Sequence, residues 1–292
     1  MKNIRIIFAV SAAVLCLAGC KSEFQLLLDG NDDDAKYAAA FDCFNQGKYS
    51  KAAQLFESLS LTTGGTDRED TVQYYWGLSN YRFKDYYTAE TNFETFGEKF
   101  PRSPFAENAA YLHLDCLYKQ TLRYELDQAP STKCVGAISE YLTNFPETQH
   151  LDVCKFMLDD LSARFDRKAF EAAKLYYKME DYLASRVALK NVLKDDADNR
   201  YREDILYYTA MSSYKYAQMS VAEKQKERYL TFTDDYLNFV GEYPESVYRK
   251  EMDALYKRSQ KALGKYSGPE DEADDEADEK DFEKERKKAA DK

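Results

Sequence analysis

The sequence predicts an all-α fold, about five helix-turn-helix repeats closed by a C-terminal capping helix. Three features carry that expectation. Only 11 Gly and 6 Pro occur in 292 residues, so long Ala-, Leu-, Glu-, Lys- and Tyr-rich stretches run without a helix breaker. An aromatic-Pro-x-Ser/Thr tetrapeptide recurs as Phe100-Pro101-Arg102-Ser103, Phe145-Pro146-Glu147-Thr148 and Tyr243-Pro244-Glu245-Ser246. A tyrosine one turn before a small residue recurs as Lys48-Tyr49-x-x-Ala52, Asp85-Tyr86-x-x-Ala89 and Asp181-Tyr182-x-x-Ser185.

The N-terminus reads as a leader. Lys2 and Arg5 precede a 12-residue apolar run from Ile6 to Leu17, and Leu17-Ala18-Gly19-Cys20 follows. A basic start, a short apolar core and small residues before a cut mark a secretory signal. A spanning helix needs roughly 20 apolar residues. Cysteine directly after Leu-Ala-Gly resembles a bacterial lipobox, in which that thiol is acylated. Each acyl chain buries many methylenes, and more than one chain makes anchoring stable. The expected organisation is a signal peptide over 1–19, a lipidated linker over 20–34, a repeat domain over 35–263 and an acidic disordered tail over 264–292. No second apolar stretch reaches membrane length, so membrane contact is expected through the lipid anchor only.

Each repeat then follows from local chemistry. Proline cannot continue a helix and pushes the residue before it out of helical geometry. Ser or Thr two residues later can cap the next helix. Asp198-Asn199 offers the same polar restart where the proline is missing. Within repeats, the spacing Ala89, Phe93, Pro101 matches the A-x₃-F…P half of the tetratricopeptide (TPR) pattern. Cys134, Ile138 and Pro146 keep that spacing, as do Phe232, Tyr236 and Pro244. Ser185 and Leu189 keep it without the proline, and Ala52 with Phe56 opens the series. First helices carry small residues for close packing at Ala40, Gly77, Ala110, Ala173 and Ala210. The fold class is therefore a TPR-like α-solenoid, with the polar insertion at 122–131 lengthening repeat three. Residues 246–263 form an amphipathic cap for the last repeat, ended by Gly264.

Beyond Gly268-Pro269 lie eight acids between Glu270 and Glu279 with no basic residue. Such a block cannot bury a core. It reads as a solvated terminus, with an interaction tail or weak Ca²⁺ trap as the alternative.

Composition narrows the function classes. The net charge is −11 and becomes about −13 without Lys2 and Arg5. Phosphate binding relies on clustered Lys and Arg, so nucleic acid is not an expected partner. Two histidines, His113 and His150, leave few candidates for triads, proton shuttles or two-His metal motifs. No G-x-S-x-G, H-E-x-x-H or glycine-rich phosphate loop is present. No catalytic residue, metal or cofactor is expected. Cys43, Cys116, Cys134 and Cys154 lack CxxC spacing; they read as buried thiols, with disulfide pairing in an oxidising compartment the alternative.

Tyrosine is abundant, with 25 residues, and it clusters. Tyr37, Tyr74, Tyr75, Tyr81, Tyr86 and Tyr87 fall in the first two repeats; Tyr207, Tyr208, Tyr214 and Tyr216 fall in the fifth. Tyrosine suits both inter-helix packing and the concave contact surface of a repeat array. Arg200 and Arg202 sit where the fifth repeat starts. Positive charge there opposes the helix dipole by about 0.3–1 kcal/mol when exposed, though Glu203 and Asp204 offset it. The pair is either solvated or, at Arg202, placed to bind a partner's carboxylate bidentately.

Two stretches sharpen the picture. Ala172-Ala173-Lys174-Leu175-Tyr176-Tyr177-Lys178 with Tyr182, and Ser220-Val221-Ala222-Glu223-Lys224-Gln225-Lys226-Glu227-Arg228-Tyr229 running to Phe239 and Tyr243-Pro244-Glu245-Ser246, resemble the BamD family of Bacteroidetes-type bacteria. With the lipobox, the long repeats and the cap, the resemblance covers roughly residues 20 to 263. It implies a non-catalytic outer-membrane lipoprotein scaffold, facing the periplasm, of the β-barrel assembly complex. Its implied partners are a BamA-like barrel protein, through POTRA domains, and unfolded outer-membrane proteins. The family assigns barrel substrates to N-terminal repeats, here Tyr37, Tyr74, Tyr75 and Tyr81. It assigns the POTRA domain to C-terminal repeats, here Arg202, with Arg200, Tyr207 and Tyr208, because Asp198-x-x-x-Arg202-x-x-Ile205 resembles the family's docking stretch. The alternatives are another TPR lipoprotein of envelope or pilus assembly, or a surface carbohydrate-binding lipoprotein.

Overall fold

The computed structural model describes residues 23–264. Cys20 and the acidic run from Glu270 to Glu279 lie outside the described residues. Twelve α-helices and no strand occur among the described residues: α1 (Glu23–Asp29), α2 (Asp33–Asn45), α3 (Tyr49–Ser60), α4 (Glu69–Phe83), α5 (Tyr86–Lys99), α6 (Ala106–Lys119), α7 (Ala129–Asn144), α8 (Leu151–Lys178), α9 (Tyr182–Asp195), α10 (Arg202–Gln218), α11 (Ala222–Glu242) and α12 (Arg249–Ala262). The fold is all-α and of the TPR-like solenoid class. The repeats are α2/α3, α4/α5, α6/α7, α8/α9 and α10/α11, and α12 follows the last. The chain divides within α8 into two compact units, one ending at Asp159 and the other beginning at Asp160.

The turn inside a repeat is a left-handed residue followed by a cap. Gly47 (φ 73°), Lys84 (φ 69°) and Glu180 (φ 62°) occupy equivalent positions. Asp85 and Asp181 come next, and their carboxylates accept from the backbone N–H of Thr88 and Ala184, both at 3.1 Å, satisfying a donor the helix leaves open.

Between repeats, the expected Ser/Thr N-caps are replaced by a different device. Proline at the second position of a β-turn sets its φ, and the turn closes when the N–H of Ser103, Thr148 or Ser246 donates to the carbonyl of Phe100, Phe145 or Tyr243. Each hydroxyl then accepts from the N–H two residues on, at 3.1–3.2 Å. The next helix begins one residue later still, at Ala106, Leu151 or Arg249. Asn199 does the same for Tyr201 at 3.0 Å, and α10 begins at Arg202. Thr66 does it for Arg68 at 3.3 Å before α4; with no aromatic or proline beside it, that restart carries no sequence motif.

Repeat cores are filled by the residues the pattern singled out. Ala52, Phe56, Ala89, Cys134, Ile138, Ser185, Leu189 and Phe232 are fully buried. Gly77 is required by contact, since a Cβ there would lie 2.9 Å from the Phe93 ring and 3.2 Å from Asn92 Cβ. Ala110 is only half-buried; the alanine in the core is its neighbour Ala109. The stretch before repeat one is not bare spacer. It contains α1, whose Phe24, Leu27 and Leu28 pack against the cluster of Ala40, Leu55, Phe56 and Val72. Cys43, Cys116, Cys134 and Cys154 are thiols outside any disulfide, the last three buried and Cys43 half-buried. Burial pushes the Cys116 thiol up to about 12, leaving it protonated and unreactive.

Candidate functional site

A recurring junction accounts for six of the tyrosines. The residue just before a repeat's first helix stacks on an aromatic from the preceding repeat's first helix. Phe105 lies parallel to Tyr74 with ring centroids 4.4 Å apart, His150 to Tyr111 at 3.6 Å, Tyr201 to Phe170 at 5.0 Å and Tyr248 to Tyr207 at 4.0 Å. Before α4 the position is taken by Arg68, whose guanidinium lies 4.8 Å above Tyr37. Stacked pairs add about 0.5–1.5 kcal/mol beyond area burial, so these contacts set the register of successive repeats. His150 is thus a packing ring. His113 Nε2 is buried without a hydrogen-bond partner, and burial lowers that imidazole's pKa.

The N-terminal tyrosines therefore divide. Tyr74 is buried and its hydroxyl accepts from Asn108. Tyr75 sits among Phe41, Phe44 and Phe56 with centroids 4.7–5.9 Å away. Tyr81 donates to Asp115 at 2.5 Å, and burial together with that carboxylate raises its pKa. Tyr37, Tyr75 and Tyr81 keep part of their surface in water. The most exposed aromatics of this unit are Tyr87 (75%), Phe156 (63%) and Phe83 (56%); Phe83 lies at the C-terminal end of its helix.

In the second unit, Arg202 opens α10 and its guanidinium fork is engaged. Nη2 donates to Glu242 Oε2 at 2.9 Å, Nε donates to Oε1 of the same carboxylate, and Nη1 donates to the Ala197 carbonyl at 2.7 Å. Glu242, at the end of α11, is held below the usual carboxylate range by these hydrogen bonds. Arg202 also borders a hollow of about 390 Å³ with Lys190, Lys194, Leu193, Ala197 and Leu206. Asp235 at its floor is neutralised by Arg186 and Lys190. A basic rim over a lining that mixes Leu193, Ala197 and Leu206 with Thr209, Asn238 and the neutralised Asp235 suits an incoming carboxylate.

Arg200 lies apart from that fork. Its Nε is 3.4 Å from Asp166, whose pKa is raised by burial. Tyr207 is buried, donating to Glu251 at 2.8 Å. Tyr208 is half-exposed, edge-on to Tyr177 at 5.1 Å, with Lys174 Nζ 4.7 Å above its ring. The structure thus joins Tyr207 to Tyr208 and Arg202 to the hollow, but sets Arg200 against α8. Among the described residues no group of three or more His, Cys, Asp or Glu is placed to hold a metal ion, and no helix is long and apolar enough to cross a membrane.

A paired-helix scaffold with side-chain chemistry suited to docking is the setting for two comparisons. The family described as YfiO, outer membrane lipoprotein, matches residues 29–230, more than half of the chain, and the chain belongs to that family. It is also similar to the outer membrane protein assembly factor BamD of Caulobacter vibrioides, at 20% identity over 198 residues, 68% of this chain. The match spans 65% of that relative's length, slightly less than two thirds. The family match contains Tyr37, Tyr74, Tyr75, Tyr81, Arg200, Arg202, Tyr207 and Tyr208; Cys20, Glu242 and α12 fall outside it.

Proposed function

We propose that this chain is a non-catalytic scaffold of the outer-membrane β-barrel assembly complex, anchored by acylated Cys20 and facing the periplasm. The hollow beside Arg202 receives a carboxylate-bearing POTRA domain of a BamA-like barrel protein, and the half-exposed Tyr208, packed against α8 away from the hollow's lining, is a second, separate contact. Tyr207 acts from within, by stacking on Tyr248. The partly exposed Tyr37, Tyr75 and Tyr81 receive unfolded barrel segments, with Tyr74 holding their register from the core. Arg200 braces α8 through Asp166.

The single observation that carries the reading is Arg202, held in place at the lip of a basic hollow by Glu242 and the Ala197 carbonyl, which take three of its five N–H donors. Preorganisation reduces the cost of docking. Membership of an outer-membrane lipoprotein family and similarity to an assembly factor give that geometry its context. The test is co-purification from envelopes with a BamA-like partner. Arg202→Glu should lose the partner while helical circular dichroism is kept. Glu242→Gln loosens the intramolecular pair but leaves the fork available, so it should retain the partner; loss in both variants would mean that Arg202 serves only to tie α11 down. Unchanged recovery with both Arg202→Glu and Arg200→Glu, the protein remaining folded, would place docking elsewhere.

A further inference from the structure

The first unit carries a basic, apolar hollow that neither partner nor substrate uses in the reading above. The turns joining α2 to α3 and α4 to α5 border a shallow, open hollow of about 390 Å³, lined by Lys48, Lys51, Arg82, Phe83 and Lys84 among others, and no lining residue is acidic. All five side chains are exposed, as is Tyr87 in the first turn of α5. Four cations in one place depart sharply from a chain whose net charge is −11. A net charge is a sum over the molecule, whereas charges farther off than a Debye length of about 8 Å are largely screened. A surface brought against this hollow meets local positive charge and two aromatic rings.

A second observation says what that surface is. Lys51 Nζ lies 5.0 Å above the ring of Phe24, so the first turn of α1 sits beside the hollow. Phe24 is four residues beyond Cys20, a reach of at most about 14 Å of extended chain. A chain acylated at Cys20 therefore enters its bilayer next to these residues.

We propose that this hollow and its rim rest on the anionic phospholipid surface in which Cys20 is anchored. Lys48, Lys51, Arg82 and Lys84 face headgroup phosphates, and Phe83 and Tyr87 lie at the interface, where aromatic rings are favoured. A basic patch supplies a second membrane signal beside the acyl chains and fixes which edge of the first unit faces the lipid. The inference rests on acylation at Cys20 and replaces the expectation of contact through the anchor alone.

The test uses a chain beginning at residue 21, which retains α1 and every buried core residue. Sedimentation with phosphatidylcholine–phosphatidylethanolamine vesicles is compared with and without phosphatidylglycerol. Binding should require phosphatidylglycerol, fall with added salt, and weaken roughly 5-fold for each cation removed. Lys84→Gly is the informative variant, because glycine favours the left-handed φ of 69° found there, so weaker binding cannot be assigned to unfolding. Lys48→Gln with Lys51→Gln and Phe83→Ser with Tyr87→Ser should each weaken it further. Equal sedimentation with and without phosphatidylglycerol, or no effect of Lys84→Gly and the double lysine variant, overturns the proposal. Mass spectrometry of the exported protein reads the anchor separately. An acylated N-terminus with lipid-independent sedimentation overturns the hollow alone; an unmodified one overturns the anchor and the placement of the hollow with it.

Discussion

Asp235 offers the sharpest test of how the second unit is held together. It lies on α11, 6% exposed, and ties three helices. Arg186 of α9 donates to both oxygens, Nε at 2.6 Å and Nη2 at 3.1 Å, Lys190 Nζ lies 2.7 Å from Oδ1, and Ser213 of α10 donates to Oδ2. Burial pushes this carboxyl's pKa up, but the hydrogen bonds from Arg186, Lys190 and Ser213 outweigh it and hold the pKa below the usual range. Asp235→Asn removes the charge and turns an amide donor toward groups that are themselves donors. Breaking a buried pair from one side costs about 3–5 kcal/mol. Arg186 is 23% and Lys190 48% exposed, so both partly regain water, and about 2–4 kcal/mol is expected. For a domain of this size that lowers Tm by about 5–15 °C, read by circular dichroism. Because the folded pKa is depressed, the stabilisation is complete above the unfolded Asp value near 4 and is lost as pH falls through the folded value. The gap between wild type and variant should therefore be the same at neutral pH and at pH 5, closing only in stronger acid. A Tm within a degree or two of wild type would refute the reasoning.

Gly77→Ala should destabilise by about 1–3 kcal/mol through overpacking against Phe93, despite alanine's better helix propensity; denaturant melts showing a more stable variant would contradict the contact. Glu180→Gly should stabilise by about 1 kcal/mol, because a left-handed residue other than glycine is strained, and the same melts decide it. In the native protein Cys43 should react with a thiol reagent well before Cys116, Cys134 and Cys154, as peptide mapping will show; simultaneous labelling of all four would mean that these helices open together.

The sequence was most informative where one residue type has one use. Proline marked the inter-repeat turns because no other residue presets φ there, and the A-x₃-F spacing found the core because helix geometry brings those positions to one face. It was least informative where a residue type has several uses. Tyr74 and Tyr207 look like surface tyrosines until Phe105 and Tyr248, each 31 or 41 positions away, are seen stacked on them. Arg202 was marked by its place at a helix start, but its Glu242 partner was not, since 40 residues separate them. Thr66 restarts a helix without proline, and α1 is a seven-residue helix too short for a periodic signal. The basic hollow joins two turns distant in sequence inside an acidic chain, and only folding brings Lys48 and Lys84 together.

The central claim, that this outer-membrane lipoprotein serves β-barrel assembly, is tested most directly by conditional depletion followed by quantitative proteomics of the outer membrane. Integral β-barrel proteins should fall together while other lipoproteins keep their abundance, with restoration by wild type and not by Arg202→Glu. Unchanged barrel levels after depletion, or a loss confined to one pilus or surface glycan system, would contradict it.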